Sequence, residues 1–220
     1  MNNKKIFISG SLSNHKLPSE VIQSIFNSIE KQYTFIVGDA NGVDKAVQVE
    51  LKKNAVKNVD VYHVGSTPRN LLDNDWQNKE LSVDISNSKL FKNNRYTREA
   101  QFYKDNAMAD AADLGLVIWQ DTKINRFGNI EVSKGSLRNI VNLLFQNKYV
   151  GLYLTTKPEL GTMKFKRLES FENDVINNHV HEKTKEYYFN YKKKLLKDND
   201  EIKKNNSSSD QEQLSLFNDL

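Results

Sequence analysis

Cysteine is absent from the 220 residues, so disulfide bonds and thiolate chemistry are both excluded. Long apolar runs are absent as well, and no stretch approaches the roughly 18–20 consecutive apolar residues that a membrane-spanning helix requires. The N-terminal residues lead directly into the strand-like segment Ile6–Ile8, without the apolar region or cleavage site of a signal peptide. We therefore expect a cytoplasmic protein without membrane contacts.

The imbalance between positively and negatively charged residues is also small. The formal net charge is +4 at pH 7, with 27% of the residues charged and 38% hydrophobic, which suits a globular protein with one well-buried core. A mildly basic surface permits contact with phosphate-bearing partners but does not require it. A solvated, lysine-rich surface is therefore preferred over a dedicated DNA-binding face.

The chain does contain a regular alternation of apolar, strand-like runs with segments of helical period. Strands are predicted at 5–8, 34–37, 59–64, 114–119 and 149–154, and helices at 18–30, 43–53, 98–112 and 136–146. This alternation predicts a Rossmann-like α/β fold, in which a five-stranded, mainly parallel sheet carries helices on both faces. The segment 65–96 has little periodicity and is too long for an ordinary connection, so we interpret it as a functional excursion or lid.

The composition divides the chain into three parts. Residues 1–157 form the predicted α/β domain, 158–198 a helical extension, and 199–220 a polar tail that is expected to be disordered. Within the extension, the aromatic and basic run 187–194 suits either stacking on nucleic acid or packing of a helix against the domain. Packing is the favoured interpretation.

Three glycine-containing loops lie where an open parallel sheet binds its ligands, after strands and at helix starts. Glycine lets the backbone approach a phosphate, and the free N–H groups of a helix start attract anions. The predicted ligand-binding residues are Gly10, Ser11, Gly38, Asp39, Asn41, Gly42, Asp44, Gly135 and Ser136. Each loop alone is more typical of a helix cap than of a ligand site, and their expected meeting at one sheet edge is what favours binding.

Several motifs, taken in order, resemble those of the SLOG superfamily of Rossmann-like proteins. They are IVGDANGVDKA at 36–46, PRN at 68–70, Trp76, KDNAMADAAD at 104–113, and LVIW at 116–119 followed by Gly135-Ser136. The superfamily includes cytokinin-activating phosphoribohydrolases, the DNA-processing protein A group and sensor domains of bacterial conflict systems. The resemblance covers roughly residues 4–155 and implies a site for a nucleotide or nucleotide-sugar at the three loops.

Two positions depart from the pattern of the phosphoribohydrolases. Their motif Pro-Gly-Gly-x-Gly-Thr-x-x-Glu ends in a glutamate that takes part in cleaving the N-glycosidic bond, and the matching segment 132–139 ends in Asn139. An amide can neither act as a general base nor stabilise an oxocarbenium ion by its charge. Asp105 stands where the resemblance leads us to expect an arginine. Asp39, Asp44 and Asp113 remain as candidate acid–base or ribose-binding residues, although structural capping is the favoured role of Asp113.

No cofactor and no metal site is predicted. His179 and His181 are separated by one residue, diverge on the helix predicted for this segment, and have no evident third ligand.

The tail contains a short motif of its own. The pentapeptide Gln-Leu-Ser-Leu-Phe at 213–217 resembles the peptide by which bacterial replication and repair proteins dock on the sliding clamp, the beta subunit of DNA polymerase III. Leu216 and Phe217 suit an apolar pocket, with Leu214 beside them and Gln213 at a polar rim. The alternative is a segment that folds back and buries two apolar side chains. Placement after a polar linker favours docking.

Three functions therefore stay open. The leading hypothesis is a sensor or effector that binds a nucleotide-derived ligand, docks on the clamp and meets DNA through it. The others are an N-glycosidic hydrolase that uses an aspartate, and a DNA-binding accessory factor of the DNA-processing protein A type. The identity of the ligand, the oligomeric state (a homo-oligomer included), and the setting in host repair, antiviral defence or a phage are left open.

Overall fold

A computed structural model of the chain describes residues 3–13 and 15–218, with side chains as far as residue 201. The strands are β1 (Lys5–Gly10), β2 (Thr34–Gly38), β3 (Val59–Val64), β4 (Gln77–Leu81), β5 (Phe91–Lys92), β6 (Arg95–Tyr96), β7 (Leu114–Trp119), β8 (Thr122–Ile124), β9 (Ile130–Val132), β10 (Tyr149–Leu154) and β11 (Thr162–Phe165). The helices are α1 (Ser19–Glu30), α2 (Val43–Lys53), α3 (Arg98–Ala111), α4 (Lys134–Phe145), α5 (Leu168–Phe171) and α6 (Glu182–Asn218). A π-helical turn, Glu172–Ile176, joins α5 to the last part of the chain.

The central sheet has seven strands in the order β11-β10-β7-β1-β2-β3-β4. All neighbouring pairs are parallel except β10 with β11, which are antiparallel. The predicted α/β class is therefore confirmed, whereas the predicted number of five strands is wrong. The two additional strands lie at the edges of the sheet, where the sequence lacks a buried apolar run: β4 reads Gln-Asn-Lys-Glu-Leu and β11 has only four residues.

Helices cover both faces of the sheet, as predicted. Ile6 and Ile8 of β1 belong to a core that also contains apolar residues of α1 and α2. Phe7 faces the other way and packs in a second core with residues of α3 and α4. Successive side chains of a strand point to opposite faces, so the apolar run of β1 supplies both cores at once.

The segment 158–198 differs from the predicted helical extension because it contains a strand, β11, which lengthens the sheet. Its apolar residues complete the α3–α4 core: Phe171 and Tyr188 are fully buried there. The rings of Tyr187 and Tyr191 stack 6.2 Å apart and also contact this core. The aromatic run 187–194 thus packs a helix against the domain, as the favoured interpretation predicts.

Helix α6 continues through 199–218, which the sequence predicts to be disordered. The segment 182–218 contains neither glycine nor proline, the two residues least favourable in a helix. The disorder expected of 199–220 from its polar composition stays a prediction. Side chains beyond residue 201, including those of the pentapeptide 213–217, lie outside the described residues. None of the helices among the described residues combines the length and the apolar character needed to cross a membrane.

Candidate functional site

The strand order places a crevice at the carboxyl ends of β1 and β7. The chain runs outward from β1 through β2, β3 and β4, and then returns to the opposite side of β1 with β7. At such a reversal the connections leave in opposite directions, and ligands of open α/β sheets bind in the opening between them. A cleft of about 180 Å³ lies here, lined by the end of β1, the starts of α2 and α4, one face of α3 and the hairpin β8–β9.

Five of the nine predicted ligand-binding residues line this one cleft: Gly10, Ser11, Asp44, Gly135 and Ser136. The three glycine loops therefore do meet at one edge of the sheet. The other four, Gly38, Asp39, Asn41 and Gly42, lie outside the lining and build the loop behind it.

The end of β1 holds the cleft in shape. Ser11 Oγ accepts a hydrogen bond from the backbone N–H of Gln120 (2.9 Å) and lies 3.0 Å from Ser133 Oγ. These contacts join the ends of β1 and β7 to the start of α4. Gly10 packs so closely against Ile118 and Val43 that a Cβ there would overlap both. The backbone of this loop is thus fixed before any ligand binds.

Asp39 forms the electrostatic centre behind the cleft. Its carboxylate accepts hydrogen bonds from Arg69 Nε (2.9 Å), Arg69 Nη2 (2.6 Å) and Lys104 Nζ (2.9 Å). Burial alone would raise the pKa of Asp39, but the hydrogen bonds from Arg69 and the charge of Lys104 outweigh it and hold that pKa well below its usual range. The carboxylate of Asp39 is therefore ionised, and its hydrogen bonds hold Arg69 and Lys104 in place. It does not face a ligand.

The remaining residues of this loop support Asp44 and the start of α2. A side chain at Gly38 would overlap the carboxylate of Asp44, and Gly42, with φ of +80°, packs against the backbone of Leu12. Asn41 Oδ1 accepts a hydrogen bond from Asn70 Nδ2 at 3.2 Å. The segment 65–96, predicted to be an excursion or lid, therefore contributes Arg69 and Asn70 to the framework of the site.

Two carboxyl groups face the cleft from different helices, Asp44 from α2 and Asp105 from α3. Burial raises the pKa of Asp44 to about 6, against the opposing charge of Lys104. Burial also raises the pKa of Asp105 to about 7, and the nearby Asp44 adds to this effect. In the sequence, Asp105 stands out only as a departure from a family pattern, because none of its neighbours along the chain indicates a partner on α2.

The start of α4 opens into the same cleft. The backbone N–H groups in the first turn of a helix have no partner within the helix, and they are directed outward from its end. A Cβ placed on Gly135 would meet no atom within 4 Å, so the space beside this turn is open. Lys134 and Lys123 line the cleft beside the turn, and Arg98 lines it from α3. The arrangement is suited to an anion.

Asn139 completes the wall one turn further along α4. It is 4% exposed, and its Nδ2 donates a hydrogen bond to Ser9 Oγ at 3.2 Å. Its Oδ1 is buried and has no hydrogen-bond partner. Ser9 and Asn139 both line the cleft but were not predicted as ligand-binding residues.

Comparison with known proteins assigns no family. No protein-family model matches the chain, and no curated protein matches it at a significant level. Among the described residues, no group of three or more His, Asp or Glu side chains lies close enough together to hold a metal ion. The resemblance to the SLOG superfamily stays a prediction.

Proposed function

We propose that the cleft binds a phosphorylated, nucleotide-derived ligand, with the phosphate at the start of α4. The observation that carries the proposal is the open first turn of α4, where Gly135 leaves free space and Ser136, 5% exposed, lines the cleft. Asn139, one turn further along the same helix, also lines the cleft.

The charges around the cleft support an anionic ligand. Three basic residues line the cleft: Arg98, Lys123 and Lys134. Arg69 and Lys104 also line it and are already paired with the carboxylate of Asp39. The facing carboxyl groups of Asp44 and Asp105 have raised pKa values, so their negative charge near neutral pH is reduced. The field in the cleft therefore favours phosphate. The nucleotide part of the proposal rests on the SLOG-like motifs alone, as an analogy between families.

A second candidate function is hydrolysis of the N-glycosidic bond of such a ligand. The observation that favours it is the pair Asp44 and Asp105, which face one cleft with pKa values of about 6 and 7. A carboxylic acid with a pKa in this range can protonate a departing base, and a neighbouring carboxylate can accept a proton from the attacking water. Asp39 has no such role in this proposal, because its carboxylate is bound by Arg69 and Lys104.

The test is thermal unfolding of the full chain in the presence of AMP, ADP, ATP, their deoxy forms and ribose 5-phosphate. A compound that binds the folded state raises the unfolding temperature by mass action. Gly135→Val should abolish that rise, since the added methyl groups occupy the phosphate position, while the unfolding temperature without ligand stays close to that of the original chain. Gly135→Ala is the graded control and should weaken binding less.

Two outcomes would contradict the proposal. Either no compound of the panel stabilises the chain, or Gly135→Val binds as well as the original sequence, which would show that the phosphate lies elsewhere. Chromatography of the same mixtures separates the two candidate functions: free base accumulates only if the chain is a hydrolase.

We also propose that the pentapeptide 213–217 docks on a bacterial sliding clamp. Support comes from the sequence, in which Gln213, Leu214, Leu216 and Phe217 match the anchoring positions of the clamp-binding peptide. The domain is held to α6 at its near end, where Tyr188 is buried and Leu195 contacts the core. A nucleotide-binding domain would then be tethered to the replication machinery through the far end of the same helix.

A further inference from the structure

Tyr187 of α6 contacts a residue that lines the cleft. Lys134 is the first residue of α4 and lines the cleft beside the open turn at Gly135. Its ammonium nitrogen lies 5.1 Å from the centroid of the Tyr187 ring, within the distance at which the face of an aromatic ring attracts a cation. None of the ion pairs in the described part of the chain includes Lys134. The ring of Tyr187 is therefore the contact that restrains this charge.

Two contacts hold the Tyr187 ring itself. It stacks on the ring of Tyr191, about one helical turn further along α6, with the two ring planes 7° apart. Its hydroxyl oxygen accepts a hydrogen bond from Arg138 Nε of α4 at 2.8 Å. The position of the ring is thus fixed from both α6 and α4 before any ligand binds.

The same cluster reaches the wall of the cleft that α3 supplies. The guanidinium group of Arg138 lies 3.8 Å from the centroid of the Phe102 ring and 4.9 Å from that of Tyr191. Phe102 lines the cleft and is 8% exposed. Through Arg138, α6 therefore supports the α3 wall of the cleft as well as the α4 wall.

A phosphate at the first turn of α4 would bind more tightly if a nearby lysine were already in place. A free lysine side chain has many rotamers, and the loss of this freedom on binding weakens the affinity. The attraction between an ammonium group and a ring is weaker than a hydrogen bond between an ammonium group and a phosphate. The ring can therefore keep Lys134 near the site without competing with the ligand for it.

We infer that Tyr187 is a positioning residue of the ligand site: its ring keeps the ammonium group of Lys134 beside the start of α4, where a phosphate binds. The inference rests on the proposed function, which puts the phosphate at this turn. It adds to the site a residue from outside 4–155, the range of the SLOG-like motifs. Because coupling between two sites is reciprocal, it also links ligand binding to the packing of the helix that carries the pentapeptide 213–217.

The experiment measures the affinity of the full chain for inorganic phosphate and for AMP by calorimetry or NMR titration. Tyr187→Leu removes the ring and should weaken the binding of both probes about two- to tenfold, the cost of ordering one long side chain on binding. Tyr187→Phe retains the ring and should bind both probes within about twofold of the original chain. Lys134→Met should weaken binding at least as much as Tyr187→Leu, because it removes the charge itself.

The combination of Lys134→Met with Tyr187→Leu tests whether the tyrosine acts through the lysine. This double variant should bind no more weakly than Lys134→Met alone, since no ammonium group is left to be positioned. Tyr191→Leu is the matched control, because Tyr191 packs against the same core from the same helix but donates its hydrogen bond to Asn142. It should leave both affinities within about twofold. Circular dichroism checks that each variant folds, and Tyr187→Met replaces Tyr187→Leu if the latter does not.

The outcomes separate the inference from the function on which it rests. If neither probe binds the original chain, the proposed phosphate site is wrong, and the inference is wrong with it. If the probes bind but Tyr187→Leu leaves their affinity unchanged, or weakens it equally with and without Lys134, the phosphate site stands and the inference is overturned. Equal losses in Tyr187→Leu and Tyr187→Phe, or in Tyr187→Leu and Tyr191→Leu, would overturn it as well.

Discussion

Asp39 and Asp105 belong to one cluster of charges, yet their pKa values move in opposite directions. Burial opposes the ionisation of both. Asp39 overcomes it because Arg69 and Lys104 donate hydrogen bonds to its carboxylate. Asp105 has no hydrogen bond to another described side chain, and its pKa rises to about 7. The presence of a direct donor, rather than burial, therefore decides which carboxyl is ionised.

The raised pKa of Asp105 predicts how stability depends on pH. Between the ordinary pKa of 3.8 and about 7, the folded chain retains a proton that the unfolded chain releases. The folded state therefore binds more protons in this window, and the contribution of Asp105 to the free energy of unfolding falls as the pH rises through it. The pH dependence that Asp39 contributes has the opposite sign. Its lowered pKa adds to the free energy of unfolding at neutral pH, and this contribution is lost in acid.

Asp105→Asn should therefore stabilise the chain, and more so at pH 8 than at pH 5. We expect the difference between the two pH values to be about 2–3 kcal/mol, because the pKa of about 7 lies two units above pH 5 and each unit corresponds to about 1.4 kcal/mol. Urea unfolding at both pH values measures it. Asp110→Asn, an exposed position on the same helix, controls for the loss of one negative charge. An equal effect of Asp105→Asn at both pH values would show that this carboxyl is ionised in the folded chain.

At the scale of elements, Gln48 of α2 holds the segment that follows β3. This fully buried side chain donates hydrogen bonds to the carbonyl oxygens of Gly38 (2.9 Å) and Asn70 (3.2 Å), and accepts one from the N–H of Leu72 (3.2 Å). One side chain thus joins β2, α2 and the segment that carries Arg69. The segment 65–96 is positioned by this contact at the point where it approaches the cleft.

Gln48→Leu should cost about 2–4 kcal/mol of unfolding free energy, because it leaves several buried backbone groups without partners. The N–H of Leu72 should exchange with deuterium faster, whereas the strands of the central sheet should keep their relative protection. Lys52→Met is the control, since Lys52 contacts the carbonyl of the same Leu72 from the exposed side of α2. A loss of protection that is no greater in Gln48→Leu than in Lys52→Met would contradict the role given to Gln48.

The elements that the sequence predicts well are inner strands of the sheet and one amphipathic helix. The bounds of β3, α2, β7 and β10 agree with the predicted ranges, because continuous apolar runs and a clear helical period define them. The edge strands β4 and β11 and the hairpin β8–β9 were not predicted. They owe their strand conformation to hydrogen bonds with neighbours, and their own residues are largely polar or exposed.

The sequence predicts the loops that border the candidate site, but it does not predict the residues that helices contribute to its walls. Glycines and helix starts indicate an anion site from local sequence, and three such loops do meet. Three further residues at the site, Lys104, Asp105 and Asn139, lie within helices. The role of a polar residue on the inner face of a helix cannot be predicted until its neighbour across the cleft is known. For Lys104, which is only 2% exposed, that neighbour is Asp39, 65 residues earlier in the chain.

At the scale of the whole molecule, the proposed docking peptide lies beyond the residues whose side chains the structure describes. Leu216→Ala combined with Phe217→Ala should remove about 2–4 kcal/mol of clamp affinity, because short peptides bind through a few anchors. A micromolar interaction would then weaken by roughly thirty- to a thousandfold. Calorimetry with a purified bacterial sliding clamp measures this, and thermal unfolding should show the domain unchanged.

Ser207→Ala combined with Ser208→Ala is the control within the same tail and should bind the clamp like the original chain. A chain ending at Ser209 should bind no better than the double alanine variant at 216 and 217. Equal affinity of all these chains for the clamp would rule out docking through the pentapeptide. Binding of none of them, together with protection of Leu216 and Phe217 from solvent, would favour a segment that folds back on the domain.

The position of β1 between β2 and β7 has a consequence for how this chain can vary. Lys5 of β1 pairs with Thr34, and its N–H also binds Asp113, 108 residues away. Closing the longer of these two loops costs only about 1 kcal/mol more than closing the shorter one, because loop entropy grows with the logarithm of length. Insertions in 82–90, the mostly exposed stretch that follows β4, should therefore change the stability of the sheet little. The earlier part of the connection carries Arg69, Trp76 and β4, so changes there disturb the site, the core and the sheet. Descendants of this sequence can therefore lengthen the stretch 82–90 while the sheet and the framework of the cleft stay as they are.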